Sequence, residues 1–187
     1  RTRGRVEQIR GALCQSSVAA LSSNIPPELL GLAAKQKIFS PTQCLVYVEQ
    51  ISQPDQKAAA IAGMAPFLGE QMTSVLAVAR KLQDEAALVQ ALSGLAPHVP
   101  DILFDEALRA ALQIWDENLR AEALGSLAPY LPERLLFIAL GEAEGIQNAE
   151  AQAQALTSLA PHLTDELLGQ ALEAARRNPD EYARAEA

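Results

Sequence analysis

The dipeptide Ala-Pro returns along the chain at an almost constant interval. It stands at Ala65-Pro66, Ala96-Pro97, Ala128-Pro129 and Ala160-Pro161, which spaces the prolines evenly to within a single position. A second marker keeps the same phase. Leu82, Ile114 and Ile146 are each followed two positions later by a capping side chain, Asp84, Asp116 and Asn148. Both series give a period of about 32 residues, with a single deletion near Gly69. A repeated unit of this size holds two helices and a turn, and it cannot bury its apolar face alone.

The unit beginning at Asp116 shows how its residues specify the two helices. Asp116 is an N-cap whose carboxylate accepts from free amides of the first turn. Ala121, Leu124, Leu127 and Ala128 then recur at helical spacing as an inward stripe. Pro129 disfavours the α conformation at Ala128, so the first helix is expected to close there. Pro132, with its fixed φ and missing N–H, starts the second, whose inward face is Leu135, Leu136, Ala139, Leu140 and Ala143. Thr164 and Ser40-Pro41-Thr42-Gln43 read as further helix starts, the latter a capping box. Small residues in one column (Gly63, Gly94, Ser126, Ser158) imply close approach between helices. Gly141 and Gly145 each weaken a second helix by about 1 kcal/mol relative to Ala.

These signals predict an all-α chain: an α-solenoid of about five stacked antiparallel helical hairpins with a period of about 32 residues. The hairpins are expected at 27–52, 55–82, 85–114, 117–146 and 149–178. An N-terminal helix near 5–22, within residues 1–26, precedes the array of 27–187. Residues 180–187 match the opening of another first helix, so 179–187 reads as a truncated repeat. With no Met at position 1, the expectation is a fragment of a longer array within a longer protein.

The pattern Arg120-Ala121-Glu122-Ala123-Leu124-Gly125-Ser126-Leu127-Ala128-Pro129, followed by Leu131-Pro132-Glu133-Arg134-Leu135-Leu136, resembles the degenerate helical-hairpin repeats of bacterial proteins. It is similar to C-terminal sensor arrays of STAND-type signalling NTPases, in which a nucleotide-binding module lies upstream. The units also resemble tetratricopeptide and HEAT repeats. They depart from the former in length and in lacking its large first-helix aromatics, so the peptide groove of that family is not carried over. The resemblance implies a sensor or scaffold segment of a signalling or defence protein that contacts upstream domains of the same polypeptide.

Composition narrows the function classes. The chain has 187 residues, 49% of them hydrophobic and 4% aromatic, and a net charge of −8. That apolar content excludes disorder, and two cysteines, Cys14 and Cys44, exclude a disulfide scaffold. No apolar run reaches the roughly 18 residues of a membrane helix, and no signal peptide opens the chain, so the expected setting is cytoplasmic with no membrane partner. The acidic balance argues against nucleic acid as a partner. Residues 1–60 carry seven Lys or Arg against four Asp or Glu, whereas residues 61–187 carry eight against nineteen. The acidic portion favours a basic protein or peptide partner, and Arg1, Arg3, Arg5 and Arg10 read either as a contact for an upstream domain or as a frayed helix end.

No catalytic constellation, metal site or cofactor site is expected. A phosphate-binding G-x-x-x-x-G-K-[ST] loop is absent. His98 and His162 occupy the same point of units two apart, too distant to share an ion. Asp101, Asp105 and Glu106 read as a solvated helix start, where acids also suit the helix dipole. Cys14 and Cys44 read as small buried hydrophobes. The candidate residues are those for partner binding, found by comparing units column by column. Trp115 stands where other units have Ser52, Gln83 and Gln147. Phe137 stands with Thr42, Ser74, Asp105 and Gly169, and Leu88 with Lys57, Arg120 and Gln152. Each is expected at the surface. Phe67, His98, Tyr130 and His162 follow the four Ala-Pro dipeptides and would line one edge as a ridge. The expected function is non-catalytic protein recognition. A self-associating structural spacer is the alternative, and a HEAT-like DNA-repair enzyme is disfavoured by the acidic surface.

Overall fold

The computed structural model describes residues 26–178 and 180. The expected helix near 5–22, with its arginines and Cys14, lies outside these residues, as does the truncated repeat, Asp180 apart. Ten α-helices and no strand are present among the described residues, so the chain is all-α. The helices follow one another in pairs: α1 (Pro27–Lys35) and α2 (Pro41–Gln50), α3 (Pro54–Met64) and α4 (Met72–Ala79), α5 (Glu85–Leu95) and α6 (Phe104–Leu112), α7 (Glu117–Leu127) and α8 (Glu133–Glu144), α9 (Ala149–Leu159) and α10 (Asp165–Arg177).

Side-chain caps start four of the ten described helices. The Asp84 carboxylate accepts from the Ala87 N–H at 2.8 Å. Asp116 accepts from Asn118 and Leu119 at 2.9 and 3.0 Å, and the Asn148 side-chain oxygen from Ala151 at 2.9 Å. Ser40 and Gln43 form the reciprocal capping box, with bonds of 2.9 and 3.3 Å. Thr164 occupies the N-cap of α10 without a side-chain capping bond.

The Ala-Pro dipeptides act differently from the sequence expectation. Ala128 stays in the α conformation, at φ −45° and ψ −46°, and the chain tightens into a 3-10 turn over Ala128–Tyr130. The same turn follows α3, α5 and α9, at Ala65–Phe67, Ala96–His98 and Ala160–His162. Proline is tolerated there because its missing N–H would have had no required partner in the first residues of the turn. The steric bias on the preceding residue is overridden at each of the four sites.

Each helix packs within its own pair or against the adjacent pair. The first helices α1, α3, α5, α7 and α9 touch in succession, and the second helices meet as α2 with α4, α6 with α8, and α8 with α10. Leu30, Ile61, Leu92, Leu124 and Leu156 recur at the same point of the first helices and are all buried. So are Leu135, Leu136, Ala139, Leu140 and Ala143 of α8. Contact between first helices runs through very small residues. A Cβ on Gly94 would lie 2.2 Å from the Ala62 Cβ, one on Gly31 would lie 2.7 Å from the Gly63 carbonyl oxygen, and one on Gly125 would lie 2.8 Å from the Ser158 Cβ. No Cβ fits at those separations, so the glycines set how closely the helices approach.

Candidate functional site

Trp115 sits in the connection between α6 and α7 and is 88% exposed, the most exposed large apolar side chain among the described residues. Its backbone is nonetheless anchored. The Glu85 carboxylate, at the start of α5, accepts from the Trp115 N–H at 2.8 Å and from the Asp116 N–H at 3.0 Å. One pair further on, Glu117 makes the equivalent bonds to Gln147 and Asn148, at 3.0 and 2.6 Å. An acid directly after the capping Asp thus reaches forward and pins the next connection between helix pairs. The Gln147 and Asn148 amides, helped by Arg120, hold the Glu117 carboxyl below the ordinary carboxylate range. Sequence reasoning missed both glutamates, because Asp-Glu at a helix start already has a sufficient local explanation in the helix dipole. The signal was there in the recurrence of Asp84-Glu85 as Asp116-Glu117.

Phe67, His98, Tyr130 and His162 are each the last residue of a 3-10 turn. His98, Tyr130 and His162 are exposed, whereas Phe67 is partly buried against the core. These turns join the two helices within a pair, and Trp115 lies in a connection between pairs, at the opposite helix ends. The ridge and Trp115 therefore do not converge on one site. Phe137, on α8, is 57% exposed, with the exposed Ile138 beside it.

Leu88 requires a correction. It is only 7% exposed. Its column is polar in other units for a reason that does not need open water: long side chains bury their stems and turn their heads back onto carbonyls around the end of the preceding second helix. The Lys57 ammonium donates to the Glu49 carbonyl at 3.4 Å, Arg120 to the Ile114 carbonyl at 3.1 Å, and the Gln152 amide to the Glu144 and Ile146 carbonyls at 2.9 and 3.3 Å. Leu88 has only the stem, so it joins the core.

The acids at the start of α6 also have a defined partner. The two terminal guanidinium nitrogens of Arg134, on α8, donate to the two carboxylate oxygens of Asp105 on α6, one of them at 3.0 Å. This fork lowers the Asp105 carboxyl below its usual range and raises the Arg134 guanidinium. Cys44 is fully buried, and burial pushes its thiol up, away from the reactive thiolate. Among the described residues no group of three or more His, Cys, Asp or Glu has the arrangement to hold a metal ion. No described helix is long and apolar enough to cross a membrane.

Where α1 turns into α2, Ala34, Lys35, Lys37, Ile38, Phe39, Ser40, Pro41 and Gln43 form a cleft of about 700 Å³ with Phe67 from the neighbouring turn. Phe67 is the one member of the ridge that contributes to it. No family model, no curated protein and no solved structure matches the chain.

Proposed function

We propose that the chain is an α-solenoid, with a period of about 32 residues, that serves as a non-catalytic protein-recognition module of the sensor or scaffold kind. The solenoid reading is supported by the chain of neighbour-only helix contacts and by the Glu85 and Glu117 bonds, which repeat one period apart. First helices meet through glycine, alanine and serine, whereas second helices bury larger side chains such as Val48, Met72, Phe104 and Leu135, so the first-helix row would take the inner, concave side of the curve. Rigid stacking orders many side chains in advance, and a partner then binds with little further ordering cost.

The observation that carries recognition is Trp115: a fully presented indole on a backbone fixed by two hydrogen bonds. Large, rigid aromatic groups are the usual anchors of an interface. Affinity capture with the intact chain, compared with Trp115→Ala, tests this. The expected result is loss of captured partners, by about 30-fold or more in affinity, with the melting temperature unchanged. A fall in melting temperature with capture intact would assign Trp115 to packing.

A self-associating spacer is the second reading, and a specific observation favours it. Exposed leucines lie on the first and last described helices, Leu29 and Leu32 on α1 and Leu172 on α10, as apolar surface that a second copy could cover. Sedimentation over a range of concentrations separates the two, since a spacer associates with itself and a recognition module need not.

A further inference from the structure

The cleft between the α1–α2 turn and Phe67 is basic in an acidic molecule. Residues 26–178 hold ten Lys or Arg against nineteen Asp or Glu, yet the only charged groups among the described residues lining this cleft are Lys35 and Lys37. Neither lysine is paired with a carboxylate among the described residues. The side-chain acceptors at the mouth, Ser40 Oγ and Gln43 Oε1, already take backbone N–H groups in the capping box. The described wall thus offers two ammonium groups and an apolar surface of Ile38, Phe39, Pro41 and Phe67.

The backbone at this turn is built in an unusual way. Lys37 has φ +57°, the only left-handed non-glycine residue among those described. Its N–H donates to the Ala34 carbonyl at 3.0 Å and the Ile38 N–H to the Ala33 carbonyl at 2.9 Å. This is the helix-ending motif in which glycine normally holds the left-handed position and the next residue packs back onto the helix. Here a lysine holds it, against its steric preference. Ile38, instead of packing back, is 68% exposed at the cleft. The turn presents one cation and one aliphatic side chain together, in a conformation that costs folding energy.

We infer that this cleft docks an acidic peptide segment of a partner protein, an aliphatic or aromatic anchor lying against Phe67, Phe39 and Ile38 while flanking carboxylates meet Lys35 and Lys37. The inference rests on the reading of the chain as a recognition module and adds a site and a partner chemistry to it. A cleft of about 700 Å³ is within the usual range of small-molecule pockets, room for an anchor side chain and its neighbours in a peptide. The chain's own residues 1–25 are the wrong occupant on charge, since they carry four arginines and one glutamate.

The test is selection of a phage-displayed library of random short peptides on the intact chain, followed by affinity measurement of the enriched peptides. The variants are Lys37→Gly, which fits the left-handed turn better than lysine and so keeps the fold, the double variant Lys35→Gln/Lys37→Gly, and Phe67→Ala. The expected result is enrichment of peptides combining Asp or Glu with a large apolar residue. Their affinity should fall about tenfold in the double variant, with a weaker salt dependence and an unchanged or raised melting temperature, and it should fall again in Phe67→Ala. Enriched peptides that lose binding in Trp115→Ala but not in the lysine variants would overturn the cleft assignment and leave the recognition reading standing. Enrichment of basic or neutral peptides would overturn the partner chemistry. No enrichment at all would overturn this inference, and with it the case for peptide recognition. A chain that is dimeric by sedimentation and becomes monomeric in Lys37→Gly would make a second copy the occupant and likewise overturn it.

Discussion

At the scale of single residues, two glutamates reach across junctions between helix pairs. Glu117 receives the Gln147 and Asn148 amides, and its carboxyl titrates lower in the folded chain than in the unfolded one. Its contribution to stability is therefore complete above the ordinary unfolded carboxylate pKa, roughly 4.3, and is lost as pH falls through the lowered folded value. Chemical unfolding measured from neutral to acid pH should show Glu117→Gln less stable than the parent at pH 7, with the difference narrowing toward pH 3. Leu88 supplies a second prediction. As a core residue, its replacement in Leu88→Ala should cost about 2–4 kcal/mol in urea unfolding, against about 0.5 kcal/mol or less for a surface position. The column comparison assigned Leu88 to the surface because it equated polar neighbours in the alignment with water. Lys57, Arg120 and Gln152 are polar only at their tips, and the carbonyls those tips reach are set by packing that no residue-by-residue comparison contains.

At the scale of helices, the legible part was what a helix does to itself. Caps at Ser40, Asp84, Asp116 and Asn148, the inward stripes and the small-residue column were all readable, because each follows from spacing along one helix. The 3-10 turn through Ala-Pro was not, because the preference against the α conformation before proline is weak enough for the neighbouring packing to override it. Glycines divide into two kinds that the sequence does not distinguish. Gly94 faces Ala62 at a distance no Cβ tolerates, whereas a Cβ on Gly141 meets nothing within 4 Å. Gly94→Ala should therefore destabilise by about 1–3 kcal/mol or more through overpacking. Gly141→Ala should stabilise by roughly 0.5–1 kcal/mol through helix propensity. Thermal unfolding of the two variants side by side checks both signs.

At the scale of the whole molecule, stability under the solenoid reading is a sum of pairs and of contacts between neighbouring pairs. A chain ending after Gln147, which lacks α9 and α10, should keep its remaining helices by circular dichroism and unfold at a lower guanidinium midpoint, rather than lose structure throughout. Complete collapse on that truncation would contradict neighbour-only packing. The sequence by itself determined the helical class, the side-chain caps at Ser40, Asp84, Asp116 and Asn148 and the inward stripes of α7 and α8, because those depend on chemistry within a few residues along the chain. Only the tertiary structure decided that Leu88 is core, that Glu85 and Glu117 clamp the junctions ahead of them, that Asp105 faces Arg134, and that Phe67 joins Lys35, Lys37 and Ile38 in one cleft apart from Trp115. Each of those joins groups that lie far apart in sequence or on different helices. Such meetings depend on how far one helix pair is shifted and turned against the next, which is set by the fit of small residues between them and leaves no periodic mark on the chain.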